Sequence, residues 1–229
     1  MAWTNFHTTT TWVFDLDNTL YPPQIRLFDQ IEARMRTFMT RALNISQDEA
    51  DMLRAQYWKQ YGTTLAGLMA EHDMEPDPFL LDVHQIDFSI LPKDPILAAA
   101  IDALPGRKII YTNGTAPYAR EVAGARGVLH LFDAIYGIEH AGYHPKPRAQ
   151  AFEKVFSTDG LNPKTSVMVE DELRNLTVPY HLGMRTIHVH PEQCEAEHVH
   201  HHTDDLTQFL AQIVAMPFPD RPGHDTYTP

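Results

Sequence analysis

The sequence predicts an α/β protein, a doubly wound parallel-sheet core with an all-α cap inserted after the first strand. Three observations carry that expectation. Short β-branched and aromatic runs alternate with helix-length segments, as in a parallel sheet covered on both faces. One long interval, residues 21–91, breaks the alternation without strand character and must hold structure of its own. Carboxylates, amides and hydroxyls gather at the ends of the predicted strands, where such sheets bind ligands.

The first strand is Thr11-Trp12-Val13-Phe14, running into Asp15-Leu16-Asp17-Asn18-Thr19. In the interval that follows, Ile25, Phe28, Ile31, Met35, Phe38 and Leu43 recur at three- to five-residue steps, the stripe of an amphipathic helix. A second helix is expected over 48–61, and Gly62 ends it. Thr63 or Thr64 then caps a third helix reaching Met69, and 76–84 reads as a fourth. Beyond Leu91, helices at 94–104, 117–126, 147–157 and 173–182 separate strands at 107–111, 134–138, 166–169 and 185–190. The expected division is therefore a core of residues 1–20 and 92–216, a cap of 21–91, and a proline-rich tail of 217–229. His188, His190, His198, His200, His201 and His202 lie among acidic residues and match no zinc spacing with cysteine, so the segment reads as a solvated loop.

Composition narrows the function. The 229 residues carry 18 Lys+Arg against 30 Asp+Glu, a net charge of −12, which argues against binding a nucleic-acid polymer. An apolar fraction of 43% suffices for a globular core. The longest apolar run, Ile96 to Leu104, is interrupted by Asp102 and falls well short of the roughly 20 residues that cross a bilayer. No secretory signal is legible at the N-terminus, and the single cysteine, Cys194, excludes an intramolecular disulfide, so the expected address is cytoplasmic.

Taken alone, each polar group at a strand end has an ordinary explanation. Asp15 and Asp17 fit a turn, Thr112 a helix cap, Lys146 the surface, and Glu170-Asp171 another turn. Their order explains more. Two carboxylates one residue apart follow the first strand. Thr112-Asn113-Gly114 then supplies oxyanion donors after the second. Lys146 sits between two prolines that restrict its backbone, and an acidic pair follows the next strand. Acid, hydroxyl, lysine and acid in this sequence form a site for a phosphate and a hard divalent cation.

With these four groups the chain resembles the haloacid dehalogenase-like hydrolase superfamily, over roughly Trp12 to His190. The resemblance implies a Rossmann-like core with a cap of that superfamily's first class. Within the insertion, Tyr61-Gly62-Thr63-Thr64-Leu65, Gly67-Leu68-Met69 and Val83-His84, together with Pro145-Lys146-Pro147 in the core, resemble the pyrimidine 5′-nucleotidase branch. It further implies Asp15 as nucleophile, Asp17 as acid and base, Thr112, Asn113 and Lys146 as phosphate ligands, and Mg²⁺ held by Asp15, the Asp17 carbonyl and Asp171. Two departures stand out: Glu172 follows the acidic pair directly, and Asn175 takes a position where relatives carry aspartate. Glu170 is accordingly expected to replace the missing carboxylate at the metal, as a ligand or through water. Tyr61, Thr63, Thr64 and His84 are expected to hold the leaving group, although Tyr61 and Thr63 or Thr64 also read simply as the end of one helix and the cap of the next.

The implied activity is Mg²⁺-dependent release of phosphate from a small-molecule ester, with pyrimidine nucleoside monophosphates foremost and a homo-oligomer left open. A broader phosphatase, a 2-haloacid dehalogenase, and a binding protein that has kept the fold without catalysis are the alternatives.

Overall fold

A computed structural model describes residues 6–215. The expected tail at 217–229 lies outside them. Six strands form one parallel sheet in the order β3-β2-β1-β4-β5-β6: β1 (Thr11–Phe14), β2 (Arg107–Tyr111), β3 (Ala134–Tyr136), β4 (Ser166–Glu170), β5 (Arg185–Val189) and β6 (His201–Thr203). The chain reverses direction across the sheet at β1, so the ends of β1, β2 and β4 meet at the switch point where doubly wound sheets place ligands.

Strand alternation explains the layers. Trp12 and Phe14 project to one face and join a core built from α5 (Pro95–Ala103), α6 (Ala116–Arg126) and α9 (Leu206–Val214). Val13 projects to the other face, with Ile109, Met168 and the Phe152 and Phe156 rings of α7 (Ala149–Asp159). Both faces of β1 are therefore dry, and all four of its residues are buried.

Between β1 and β2 lie four helices: α1 (Leu27–Leu43), α2 (Gln47–Tyr61), α3 (Thr64–His72) and α4 (Pro76–Val83). Ser46 and Glu49 close a reciprocal capping box at the start of α2. Thr63, rather than Thr64, caps α3 by accepting from Ala66 N at 3.2 Å. Leu27, Ile31, Phe38, Leu68 and Phe79 fuse with the first core cluster, so the insertion shares a continuous apolar seam with one face of the sheet.

Three regions differ from expectation. The helix predicted over 173–182 is a 3-10 turn, Leu173–Leu176, followed by the short α8 (Thr177–His181). Pro179 thus falls in a first turn, where its missing N–H costs nothing. The histidine-rich segment is not wholly a solvated loop: β6 extends the sheet, pairing His201, His202 and Thr203 with Ile187, His188 and Val189. Then α9, unpredicted, buries Leu206, Phe209, Leu210 and Ile213 behind an Asp205 cap. Among the described residues no helix is long and apolar enough to cross a membrane.

Candidate active site

Asp15 is the first residue past β1, and its N–H still donates to Val169 O at 2.9 Å, which prolongs the ladder toward β4. That registry aims its carboxylate at the Lys146 ammonium, which is 1% exposed. The lysine donates to Asp15 Oδ1 at 2.6 Å, Glu170 Oε1 at 2.7 Å and Tyr111 O at 3.0 Å. Its own backbone is gripped by Asn113: Lys146 N donates to Asn113 Oδ1 at 2.8 Å, and Asn113 Nδ2 donates to Lys146 O at 3.2 Å. The Asn113 side chain therefore positions the lysine. Thr112, also buried, accepts from Gly114 N at 2.9 Å, which fixes the turn after β2.

Glu170 ends β4 fully buried, with both carboxylate oxygens engaged. Oε1 receives Lys146 and Asn175 Nδ2 (2.7 Å), and Oε2 receives Glu172 N (2.8 Å). Of the two departures noted in the sequence, Asn175 thus serves Glu170 through its side-chain amide, while Glu172 does so only through its backbone N–H. Asp171 follows, and His188 Nε2 donates to its carbonyl at 2.9 Å from β5. Asp15, Glu170 and Asp171 each offer an oxygen within 4.8 Å of the others, a cluster able to hold a metal ion.

The electrostatics are lopsided. Burial and the Glu170 charge push Asp15 up to about 7, against the pull of Lys146. Asp171 is raised well above the ordinary carboxylate range by burial, then by Glu170 and Asp15. Burial also works to raise Glu170, but the Lys146 ammonium and the N–H donors outweigh it and hold that carboxyl low. Lys146 itself stays charged because Asp15 and Glu170 more than offset its desolvation. Asp17 is raised by burial while hydrogen bonds from Tyr118 and Tyr21 oppose the shift.

A cleft of about 580 Å³ opens over these groups, roofed by α1, α2 and the start of α3. Asp15, Asp17, Thr112, Asn113, Glu170, Asp171, Thr63, Thr64 and His84 all line it. Tyr61 does not. Its hydroxyl turns to Glu71 on α3, and the aromatic walls are Trp58, one helical turn earlier, and Phe28 of α1. The Arg174 guanidinium lies 3.9 Å from the Trp58 ring centroid and donates to Trp58 O and Gly62 O, so a core residue grips the end of α2. His84 sits against Thr115 Oγ1 and stacks on Tyr118, and burial lowers its pKa to about 4, which keeps the imidazole neutral. Sequence reasoning missed Trp58, Arg174, Tyr118 and Tyr21. Only Tyr21, four residues after Asp17 and able to reach back one turn, left a local signal.

The family model for haloacid dehalogenase-like hydrolases matches residues 9–178, which span β1 to the start of α8 and hold all four groups of the site. The chain belongs to the haloacid dehalogenase-like hydrolases. A curated relative of this hydrolase, phosphate metabolism protein 8 of Saccharomyces cerevisiae, is 24% identical over 89% of this chain and 70% of its own length. Solved structures share the fold. The HAD phosphatase from Thermococcus onnurineus has a TM-score of 0.60 at 18% identity, covering 90% of this chain and 98% of its own. The magnesium-bound HAD-hydrolase YfnB of Bacillus subtilis has 0.57 at 16%, covering 91% and 99%. The L-2-haloacid dehalogenase of Xanthobacter autotrophicus has 0.51 at 21%, covering 79% and 77%.

Proposed function

We propose that this hydrolase is a Mg²⁺-dependent phosphomonoesterase that works through an aspartyl-phosphate and acts on pyrimidine nucleoside 5′-monophosphates. The observation that carries the reading is the Asp15 carboxylate, held by Lys146 in a cluster with Glu170 and Asp171 at the floor of the cleft.

The residues fit a hard divalent cation. The donors are oxygens alone, they are close together, and burial together with the neighbouring carboxylates pushes Asp15 and Asp171 toward protonation. Asp15, Asp171 and the Asp17 carbonyl would hold the ion. Glu170, whose oxygens already take three protein donors, instead holds Lys146 in place. When bound, the cation neutralises repulsion between a carboxylate nucleophile and a phosphate dianion.

Asp15 attacks phosphorus, and the bond from phosphorus to the ester oxygen breaks as Asp17 gives that oxygen its proton. Water then attacks the aspartyl-phosphate and yields a proton to Asp17, and phosphate leaves as the Asp15 carboxylate is restored. Lys146 fixes Asp15 and offsets its charge, while Thr112 and the Asn113 N–H receive phosphoryl oxygens. Above them, Trp58 offers an aromatic surface to a planar base, with Thr63 and Thr64 beside it. The presence of Asp17 two residues after the nucleophile, with Asp171 in the acidic cluster, favours this chemistry over dehalogenation.

The test is phosphate release from purine and pyrimidine 5′-monophosphates and sugar phosphates, with Mg²⁺ or chelator and Asp15→Asn as control. Mg²⁺-dependent release from UMP or CMP well above AMP and the sugar phosphates is expected. Equal rates across the panel overturn the base preference, and full turnover by Asp15→Asn overturns the mechanism.

A further inference from the structure

The Asp17 carboxylate is not free to turn. Tyr21 and Tyr118 both donate to its Oδ1, at 2.7 and 2.6 Å, while no protein donor reaches Oδ2 among the described residues. Both phenols are buried, with relative exposures of 1% and 2%. Each phenol is the donor in its contact, because the carboxylate oxygen it meets at 2.6–2.7 Å offers only lone pairs.

The two rings are held independently. Tyr21 lies in the turn that follows Asp17. Tyr118 lies in the first turn of α6, its N–H donating to the capping Thr115 hydroxyl at 3.3 Å. His84, at the end of α4, stacks on the Tyr118 ring at 4.3 Å and 10°, and Phe88 lies 6.0 Å from it. On the core side the ring fills space that a Cβ on Gly114 would occupy, only 2.8 Å from Tyr118 Cδ1. One phenol is thus placed by the chain next to Asp17, and the other by the packing of the insertion on the core.

A carboxylic acid carries its proton on one oxygen. An oxygen already accepting two short hydrogen bonds is a poor carrier, because the added hydrogen would face two donors. We infer that Tyr21 and Tyr118 are positioning residues for proton transfer: they hold Asp17 by Oδ1, so that Oδ2 delivers the proton to the leaving oxygen. The inference rests on the proposal that Asp17 is the general acid. It also gives His84 and Phe88 a role, since the insertion reaches the acid through their contact with the Tyr118 ring.

The test exploits leaving-group chemistry. An alkoxide must be protonated as it departs, whereas p-nitrophenolate leaves without help. For Tyr21→Phe, Tyr118→Phe, the double variant and Asp17→Asn, kcat/KM is measured on an alkyl phosphate, phenyl phosphate and p-nitrophenyl phosphate. This parameter stops at departure of the leaving group, so later hydrolysis of the phosphoenzyme does not enter. In the double variant the loss on the alkyl ester is expected to exceed that on the p-nitrophenyl ester by about tenfold, part of the 10²–10⁴ ascribed to a complete general acid. Melting temperatures control for packing, since phenylalanine keeps both rings. A uniform loss across the series, or none, overturns the positioning role. If Asp17→Asn shows no leaving-group dependence, the acid assignment fails and the inference falls with it. If Asp17→Asn shows it and the phenylalanine variants do not, the acid stands and only the tyrosines are wrongly assigned.

Discussion

Lys146→Met removes one ammonium and little else, since methionine preserves most of the length and volume of the side chain. The structure sets the size of the effect. The lysine Nζ sits between Asp15 Oδ1 at 2.6 Å and Glu170 Oε1 at 2.7 Å, with the Tyr111 carbonyl at 3.0 Å, in a position 1% exposed. Without it two buried carboxylates face one another, and a buried carbonyl loses its donor. Breaking a buried pair in this way costs about 3–5 kcal/mol, a large share of the roughly 5–15 kcal/mol that holds a domain together. The deficit should be smaller at pH 5 than at pH 8, because Asp15, already raised to about 7, escapes repulsion by taking a proton. Glu170→Gln in the same chain should restore at least about 1.5 kcal/mol, the scale of a hydrogen bond to a charged group, by removing the second carboxylate. Urea unfolding followed by circular dichroism measures all three proteins. A Lys146→Met protein within about 1 kcal/mol of the parent would refute the pairing as a structural element, since even single charged hydrogen bonds exceed that. So would a double variant no more stable than the single one.

Three further outcomes follow from the same geometry. Asp15 binds a proton in the folded state between about pH 4 and 7 where the unfolded chain does not, so its contribution to stability is lost as pH rises through that window. In chelator the parent should therefore lose ground to Asp15→Asn between pH 5 and 8 in paired melting curves, and Mg²⁺ should abolish the loss. Trp58→Ala should raise KM for nucleotide substrates at least several-fold more than Tyr61→Ala, since only Trp58 lines the cleft, and steady-state kinetics with both variants decides it. Arg174→Lys should behave like Arg174→Ala in kcat/KM, because a lysine can neither stack flat on Trp58 nor reach both the Trp58 and Gly62 carbonyls.

Much of this was legible because periodicity survives in a linear string. The four dry residues of β1 and the stripe through Ile31, Met35 and Phe38 each report the face they bury, and strand-end carboxylates are adjacent in sequence to the strands that aim them. What stayed hidden depends on partners distant in the chain. Tyr118 is 101 residues from Asp17, and Arg174 is 116 from Trp58. Trp58 and Tyr61 are three residues apart on α2, hence only about 60° apart around its axis, too small an angle for pattern alone to say which meets the cleft. The case of α9 is different. Leu206, Phe209, Leu210 and Ile213 carry a plain helical stripe directly after a histidine-rich polar run, two residues of which, His201 and His202, are strand residues at the sheet edge.

The charge at the floor of the cleft also orders the binding events. Asp15, Asp17, Glu170 and Asp171 gather around a single ammonium, while at the rim Arg54, Lys59 and Arg174 are matched by Glu32, Asp51 and Glu172. The rim is therefore close to neutral, the floor sets four carboxyl groups against one ammonium and pushes Asp15 and Asp171 toward protonation, and the whole chain carries −12. A phosphate dianion there meets Glu170 and whatever charge the aspartates keep, with the one ammonium already shared between Asp15 and Glu170, and low dielectric at the buried floor makes that repulsion stronger than it would be in water. Mg²⁺ should accordingly bind first. Linkage makes the consequence quantitative: whatever factor Mg²⁺ adds to the affinity for inorganic phosphate, phosphate must add to the affinity for Mg²⁺. Titration calorimetry in both directions should show phosphate binding too weak to detect in chelator, and a Mg²⁺ affinity that rises when phosphate is present. Phosphate binding equally well with and without the metal would mean that Thr112 and the Asn113 N–H suffice to hold the anion, and the need for a cation at this cluster would be disproved.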